Sequence, residues 1–246
     1  MDEPARIEKD QIEQAGTSET GIAPAGIAHG KWYGDACGTA FAMELVGERW
    51  SLLILRELML GGRRFSDLRA ALPGLSAKVL TERLASLEAV GALGRRKLPP
   101  PAASQVYELT DWGYAAEPAI QELGRWAARS SAHNPQLPLS PVSFMLSLRT
   151  MIDPVAAAAL DVDAGFTLAG ESFLAALKNG AMPVRRTDRP EGDVRFEADV
   201  ALPLLRLFYG KQPLAEAERA GGVRIHGDRA LAERFIALFA LPPKLA

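Results

Sequence analysis

The residue types that perform covalent chemistry are sparse in this chain and do not cluster. His29, His133 and His226 lie far apart, with no metal-ligand spacing and no nucleophile beside them. No Ser/His/Asp set, paired-carboxylate motif or glycine-rich phosphate loop is legible, so the expectation is a non-enzymatic protein without a cofactor or metal. Cys37 is the single cysteine. It excludes an intrachain disulfide, leaves too few thiols for structural zinc, and fits a reducing, cytoplasmic compartment. Cys37 reads either as a small hydrophobe or as a redox-sensing thiol. The chemistry that the spacing supports better is recognition of a polyanion. Between 47 and 98 the cations Arg49, Arg56, Arg63, Arg64, Arg69, Lys78, Arg83, Arg95, Arg96 and Lys97 face five acids, a local charge of +5 in a chain of net charge −2. Such a block is the electrostatic footprint of nucleic acid, the alternative being a solvated helical surface.

These cations need elements to present them. Residues 50–60 (WSLLILRELML) predict a helix buried around most of its circumference, with Leu52, Leu55, Leu58 and Met59 inward. Ser66 is the expected N-cap of a short helix ending before Pro73. Ser76 caps a longer one running to about Ala89, which Gly91 ends. Two helices and a tight turn have a helix-turn-helix layout. At 100° steps from Ser76, Val79, Leu80, Leu84, Leu87 and Val90 gather in one sector, whereas Ala77, Lys78, Thr81, Glu82 and Ala85 face away. A short, polar outer face suits entry into a groove about 12 Å wide. Arg83 falls inside the apolar sector, which predicts an intramolecular partner such as Glu57 or Asp67. The runs 93–98 and 105–109, joined by PPPAAS, predict a hairpin wing whose Arg95, Arg96 and Lys97 contact phosphate, the alternative being a solvated hairpin. The expected DNA-contacting set is therefore Ser66, Ser76, Ala77, Lys78, Thr81, Glu82, Arg95, Arg96 and Lys97.

Composition, at 48% hydrophobic and 24% charged, excludes disordered, collagen-like and membrane-spanning chains. Residues 1–30 carry six acids against two cations and no apolar segment, which predicts a disordered acidic arm and not a signal peptide. The stretch SSAHNPQLPLSP (130–141) reads as a connector, giving a domain at 31–131, a linker at 132–142 and a second domain at 143–246. The second half mixes β-like runs (143–150, 165–170, 173–180, 194–200, 222–227) with helical pieces at 202–209 and 228–240, an α+β pattern.

The motifs LVGERWSLLILREL (45–58), RRFSDLRAALPGLSAKVLTERLASLEAVGAL (63–93) and YELTDWG (107–113) resemble winged helix-turn-helix regulators of the HxlR type. The resemblance implies a dimeric transcription factor that binds an inverted-repeat operator in double-stranded DNA, with the Ser76 helix in the major groove. It also implies a dimer interface built from the Cys37–Val46 helix and the apolar face of 110–131, whose Trp112, Tyr114, Ile120, Leu123 and Trp126 otherwise need cover from the same subunit. Some relatives carry a sensing thiol where Cys37 stands. The tip PPPAAS departs from the family pattern in offering no cation to the minor groove.

Residues 143–241 resemble a sterol-carrier-protein-type lipid-binding domain through ALDVDAGFTLAGESFLAALKNGAMPVRR (159–186), DVRFEADVALPLLRLFYGKQPLAEAERAGGVRIHGD (193–228) and a terminal helix. The resemblance implies a curved sheet packed by helices around an apolar tunnel, for which Leu204, Leu205, Phe208, Phe235 and Phe239 are candidate lining residues; each reads equally as plain core. The fold class expected is thus a mainly α winged helix-turn-helix domain followed by an α+β sterol-carrier-like domain. The function expected is a transcriptional regulator, a repressor, that is homodimeric and responds to a hydrophobic small molecule without any membrane partner. The alternatives are a C-terminal module that only spaces or joins partners, and a thiol-based response through Cys37.

Overall fold

A computed structural model describes Gly30, residues 32–99 and residues 104–245. The expected acidic arm, apart from Gly30, and most of the wing tip lie outside the described residues. The first half comprises α1 (Gly38–Val46), α2 (Ser51–Leu58), α3 (Phe65–Ala71), α4 (Ala77–Ala89), β1 (Leu93–Lys97), β2 (Gln105–Leu109), α5 (Asp111–Tyr114) and α6 (Glu117–Ala128). Ile54, Leu55 and Leu58 of α2, Leu68 of α3, and Leu80, Leu84 and Leu87 of α4 form its buried centre. Ser76 caps α4 as expected, its hydroxyl accepting the Val79 N–H at 3.2 Å. Gly91, at φ 74°, ends the helix in the left-handed region that glycine adopts without steric cost. The Ala92 N–H then reaches back to the Leu87 carbonyl at 3.0 Å.

The start of α3 differs from expectation. Arg64 is its N-cap residue and Ser66 lies inside the first turn, because the Asp67 carboxylate accepts the Arg64 N–H at 3.2 Å and so fixes the helix start earlier. The apolar stretch after Thr110 is also two helices and not one. The Thr110 hydroxyl caps α5 by accepting the Gly113 N–H at 3.1 Å, and Pro118 stands in the first turn of α6.

The second half contains α7 (Pro141–Met151), α8 (Pro154–Ala157), β3 (Val162–Leu168), β4 (Glu171–Leu177), β5 (Val184–Arg186), β6 (Val194–Ala198), α9 (Ala201–Phe208), α10 (Leu214–Arg219), β7 (Arg224–Gly227) and α11 (Arg229–Ala237). The strands form one mixed sheet in the order β5-β4-β3-β6-β7, parallel at β3–β6 and antiparallel elsewhere. Asn179 and Gly180, at φ 52° and 77°, make the tight turn beyond β4 that their sequence predicts. The register sets Phe173, Phe166 and Phe196 side by side across three strands. Against this surface pack Phe144 of α7, Phe208 of α9, Phe235 of α11 and Phe239, with ring centroids in contact 5.1–6.4 Å apart.

One reading is corrected here. Residues 143–150, expected as a β-like run, belong to α7, which Ser140 caps and Pro141 opens. Phe144, Met145, Leu146 and Leu148 are all buried, so the helix shows no polar face from which a 3.6-residue period could be read. Helix α7 packs on α2 and α6 and also on α9, and the buried apolar core runs continuously from Ile54 to Phe239. The two halves therefore share packed surface and are not merely tethered.

Candidate nucleic-acid interface

Helix α4 turns Leu80, Leu84 and Leu87 inward and leaves Lys78, Thr81, Glu82 and Ala85 exposed. This is the division that its spacing predicts, except that Ala77 is half-buried. Thr81, exposed, donates its hydroxyl to the Ala77 carbonyl at 2.9 Å, an i−4 bond within the helix. Ser76 is committed to its cap, and Ser66 donates to Asp67 Oδ1 at 3.2 Å, so these two serines position helix starts. Arg83 pairs within the molecule, as expected, but with Glu48 instead of Glu57 or Asp67. That pair anchors the middle of α4 to the residues just before α2.

The wing is a regular antiparallel pair, Leu93 opposite Leu109 and Lys97 opposite Gln105. Alternation along β1 puts Arg95 and Lys97 on one face and Arg96 on the other, so the three cations do not act as one cluster. Arg95 pairs with Glu88 at 2.9 Å and lies over the Tyr107 ring at 5.6 Å. Arg96 pairs with Glu108, whose carboxylate holds the guanidinium above its ordinary pKa. Among the described residues Lys97 makes no ion pair, which leaves it the most available cation of the wing. The Arg63 main chain joins this hairpin, exchanging two backbone bonds with Tyr107 at 2.8 and 2.9 Å.

Glu57, expected from the sequence only as a partner for Arg83, holds a different set of groups that the sequence did not reveal. It is wholly buried in α2, where it accepts from Arg56 at 2.9 Å, Arg63 Nη1 at 2.9 Å, Ser140 Oγ at 2.6 Å and Ser143 Oγ at 3.3 Å. Its signal was an acid inside WSLLILRELML, a helix whose other positions demand burial. Arg63 continues to Glu171 of β4 at 2.7 Å, and Glu171 pairs with Arg186 of β5. A polar chain, buried at Glu57 and Arg63 and half-buried at Glu171 and Arg186, thus links the helix-turn-helix to the C-terminal sheet.

Cys37 is exposed at the N-cap of α1, and the backbone N–H groups of Thr39 and Ala40 hold its thiol below the ordinary range. Helix α1 buries none of its residues, although Met43, Leu45 and Val46 are apolar. A groove of about 250 Å³ between α1 and α6 is lined by Met43, Val46, Trp112, Ile120 and Leu123. Trp112, Leu123 and Trp126 are 51%, 47% and 71% exposed. In the C-terminal half, Leu204, Phe208, Phe235 and Phe239 have no exposed surface and belong to the packed core, while Leu205 borders a cavity of about 560 Å³ with Leu146, Ser147 and Tyr209. Among the described residues no group of His, Cys, Asp and Glu could hold a metal ion, and no helix is long and apolar enough to cross a membrane.

The model of the HxlR-like helix-turn-helix family matches residues 45–135. The chain is 42% identical over 86 residues to the uncharacterised HTH-type transcriptional regulator YvaP of Bacillus subtilis (strain 168), an alignment that covers 35% of this chain and 80% of that protein. It is 38% identical over 86 residues to the HTH-type transcriptional regulator YodB of the same organism, with 35% and 77% covered. Among solved structures, the reduced form of YodB from B. subtilis matches with 35% identity and a TM-score of 0.36, covering 39% of this chain and 95% of that one.

Proposed function

The chain belongs to the HxlR-like helix-turn-helix family through residues 45–135, and from that premise we propose that it is a homodimeric DNA-binding transcriptional repressor whose C-terminal half is its input module. The observation that carries the reading is the outer face of α4. Lys78, Thr81 and Glu82 stand free on a helix whose other side is locked into a leucine core and whose start is capped. Such a helix can offer donors and acceptors to base edges in the major groove, while Lys97, with help from Arg95 and Arg96, neutralises phosphate beside it.

Dimerisation supplies the second reading head that an inverted repeat requires. The unburied apolar side of α1 and the exposed Trp112, Leu123 and Trp126 support an interface there. The mixed sheet with helices packed on its phenylalanine face supports a sterol-carrier-like reading of residues 143–246, with a hydrophobic small molecule as the effector. Leu205, a candidate lining residue, borders an open cavity with Leu146, Ser147 and Tyr209. A module that only spaces the dimer is the alternative.

The test is selection of bound sequences from random DNA, followed by titration of the selected site. An inverted repeat with half-sites about one helical turn apart is the expected product. Recovery of no preferred sequence overturns the regulator. A second reading, a thiol-based response through Cys37, is favoured by the exposure of that thiol and by the N–H groups that stabilise its thiolate.

A further inference from the structure

Between the helix-turn-helix and the C-terminal sheet lies a cleft of about 690 Å³, within the roughly 300–1,000 Å³ typical of small-molecule sites. Trp50, Leu53, Ala71 and Leu139 supply apolar wall, and Arg56, Arg63, Glu171 and Arg186 line its polar end. Arg63 is 94% buried by its 6% relative exposure, and both of its Nη atoms are engaged by Glu57 and Glu171. Its Nε is buried with no hydrogen-bond partner, and so is Nη2 of Arg186, whose Nε donates to the Leu60 carbonyl at 3.2 Å and whose guanidinium lies over the Phe173 ring at 5.4 Å. Three guanidiniums share two carboxylates here, Glu57 and Glu171. Asp67, also in the lining, is a third carboxylate and accepts from the Arg64 N–H and the Ser66 hydroxyl. The cleft therefore balances three guanidiniums against three carboxylates and keeps two buried N–H donors without a hydrogen-bond acceptor, next to an apolar wall.

We propose that this cleft is a binding site for a small organic acid with an apolar body, its carboxylate held by the free N–H groups of Arg63 and Arg186 and its body against Trp50 and Leu53. A guanidinium presents donors in a rigid planar array that suits a carboxylate better than a spherical anion, and a buried donor without a partner gains most from one. Binding does not depend on what the protein does with DNA. Its consequence does, and rests on the regulator reading: the cleft wall at Ala71 belongs to α3, which leads through the Pro73-Gly74 turn into α4, so an occupant braces the sheet against the reading head.

The test is calorimetric titration of the full-length protein with benzoate and 4-phenylbutyrate, their neutral amides, and inorganic phosphate. The acids should bind at least about tenfold more tightly than the amides or phosphate. Arg186→Gln should weaken the acids by about tenfold or more, and so should Leu53→Glu, which sets a like charge on the wall at an exposed position where folding is undisturbed. No binding of either acid, equal binding of acid and amide, phosphate binding as tight as the acids, or unaltered binding in Leu53→Glu overturns the site. Gel shifts on the selected DNA with and without 4-phenylbutyrate then separate the two claims. Altered DNA affinity supports the coupling, and calorimetric binding with unaltered DNA affinity overturns it. A protein that binds no DNA sequence selectively overturns the regulator while calorimetry still decides the site.

Discussion

Arg63 and Glu171 meet at 2.7 Å although 108 residues separate them, and the same arginine holds the wing through its main chain. One residue thus ties the β hairpin, the buried Glu57 of α2 and strand β4 together. Removing the central acid leaves Nη1 of Arg63, a residue only 6% exposed, without its acceptor, while Nη2 keeps Glu171. Glu57→Ala should therefore destabilise the protein by about 1–3 kcal/mol, the cost of a buried donor left without its acceptor. Urea denaturation followed by tryptophan fluorescence measures it. Because the core is continuous across both halves, the transition should remain single. A loss below about 1 kcal/mol would mean that water reaches the pair.

Phe208 contacts the rings of Phe144, Phe166, Phe196, Phe235 and Phe239 at 5.1–6.1 Å. As a packed core residue its replacement by alanine should cost about 3–5 kcal/mol, transfer and cavity terms together. A tunnel-lining phenylalanine would already face space and would cost far less. The same denaturation experiment thus decides whether Phe208 is core or lumen.

Where the fold was legible, local signals agreed with one another. Helix α4 carries a cap, a leucine stripe and a terminating glycine in one reading frame, and the two wing strands flank a proline-rich segment. Helix α7 was not legible because burial on nearly every side erased its period. The Glu57 chain was not legible either, since Ser140 and Glu171 lie 83 and 108 residues from the residues they bond. Arg83 shows the same limit on a smaller scale. Its inward direction followed from helix geometry, but the choice of Glu48 depended on where the turn before α2 places that acid.

Leu123 projects from α6 with 47% of its surface exposed and lines the groove against α1. A charge there should leave the monomer folded, since an exposed substitution costs within about 0.5 kcal/mol, yet it should not tolerate burial in a dimer. Leu123→Asp should elute as a monomer in light-scattering chromatography with an unchanged circular dichroism spectrum. A dimer of unaltered affinity would place the interface elsewhere.

The Cys37 thiolate is favoured by the N–H groups of Thr39 and Ala40 and by the Thr39 side chain. A lowered pKa means that the reactive form appears at lower pH, so the midpoint of alkylation by iodoacetamide across a pH series should lie below that of a free cysteine. Thr39→Val removes the hydroxyl and should move the midpoint upward. Coincident midpoints for both proteins and the free amino acid would argue against a sensing role.

The α4 face and the wing should fail differently when cations or hydroxyls are removed. Lys78 and Thr81 project where a groove would lie, so Lys78→Ala or Thr81→Ala should lower discrimination between the selected site and random DNA by about 1–3 kcal/mol. Lys97 has no ion-pair partner among the described residues and should act through phosphate. Lys97→Ala should weaken both DNAs equally and reduce the salt slope by about 1. Arg96 already shares its charge with Glu108, so Arg96→Ala should change the slope less than Lys97→Ala does. Salt-dependent titrations of the four variants distinguish these outcomes, and equal losses on both DNAs for Lys78→Ala would mean that α4 does not read bases.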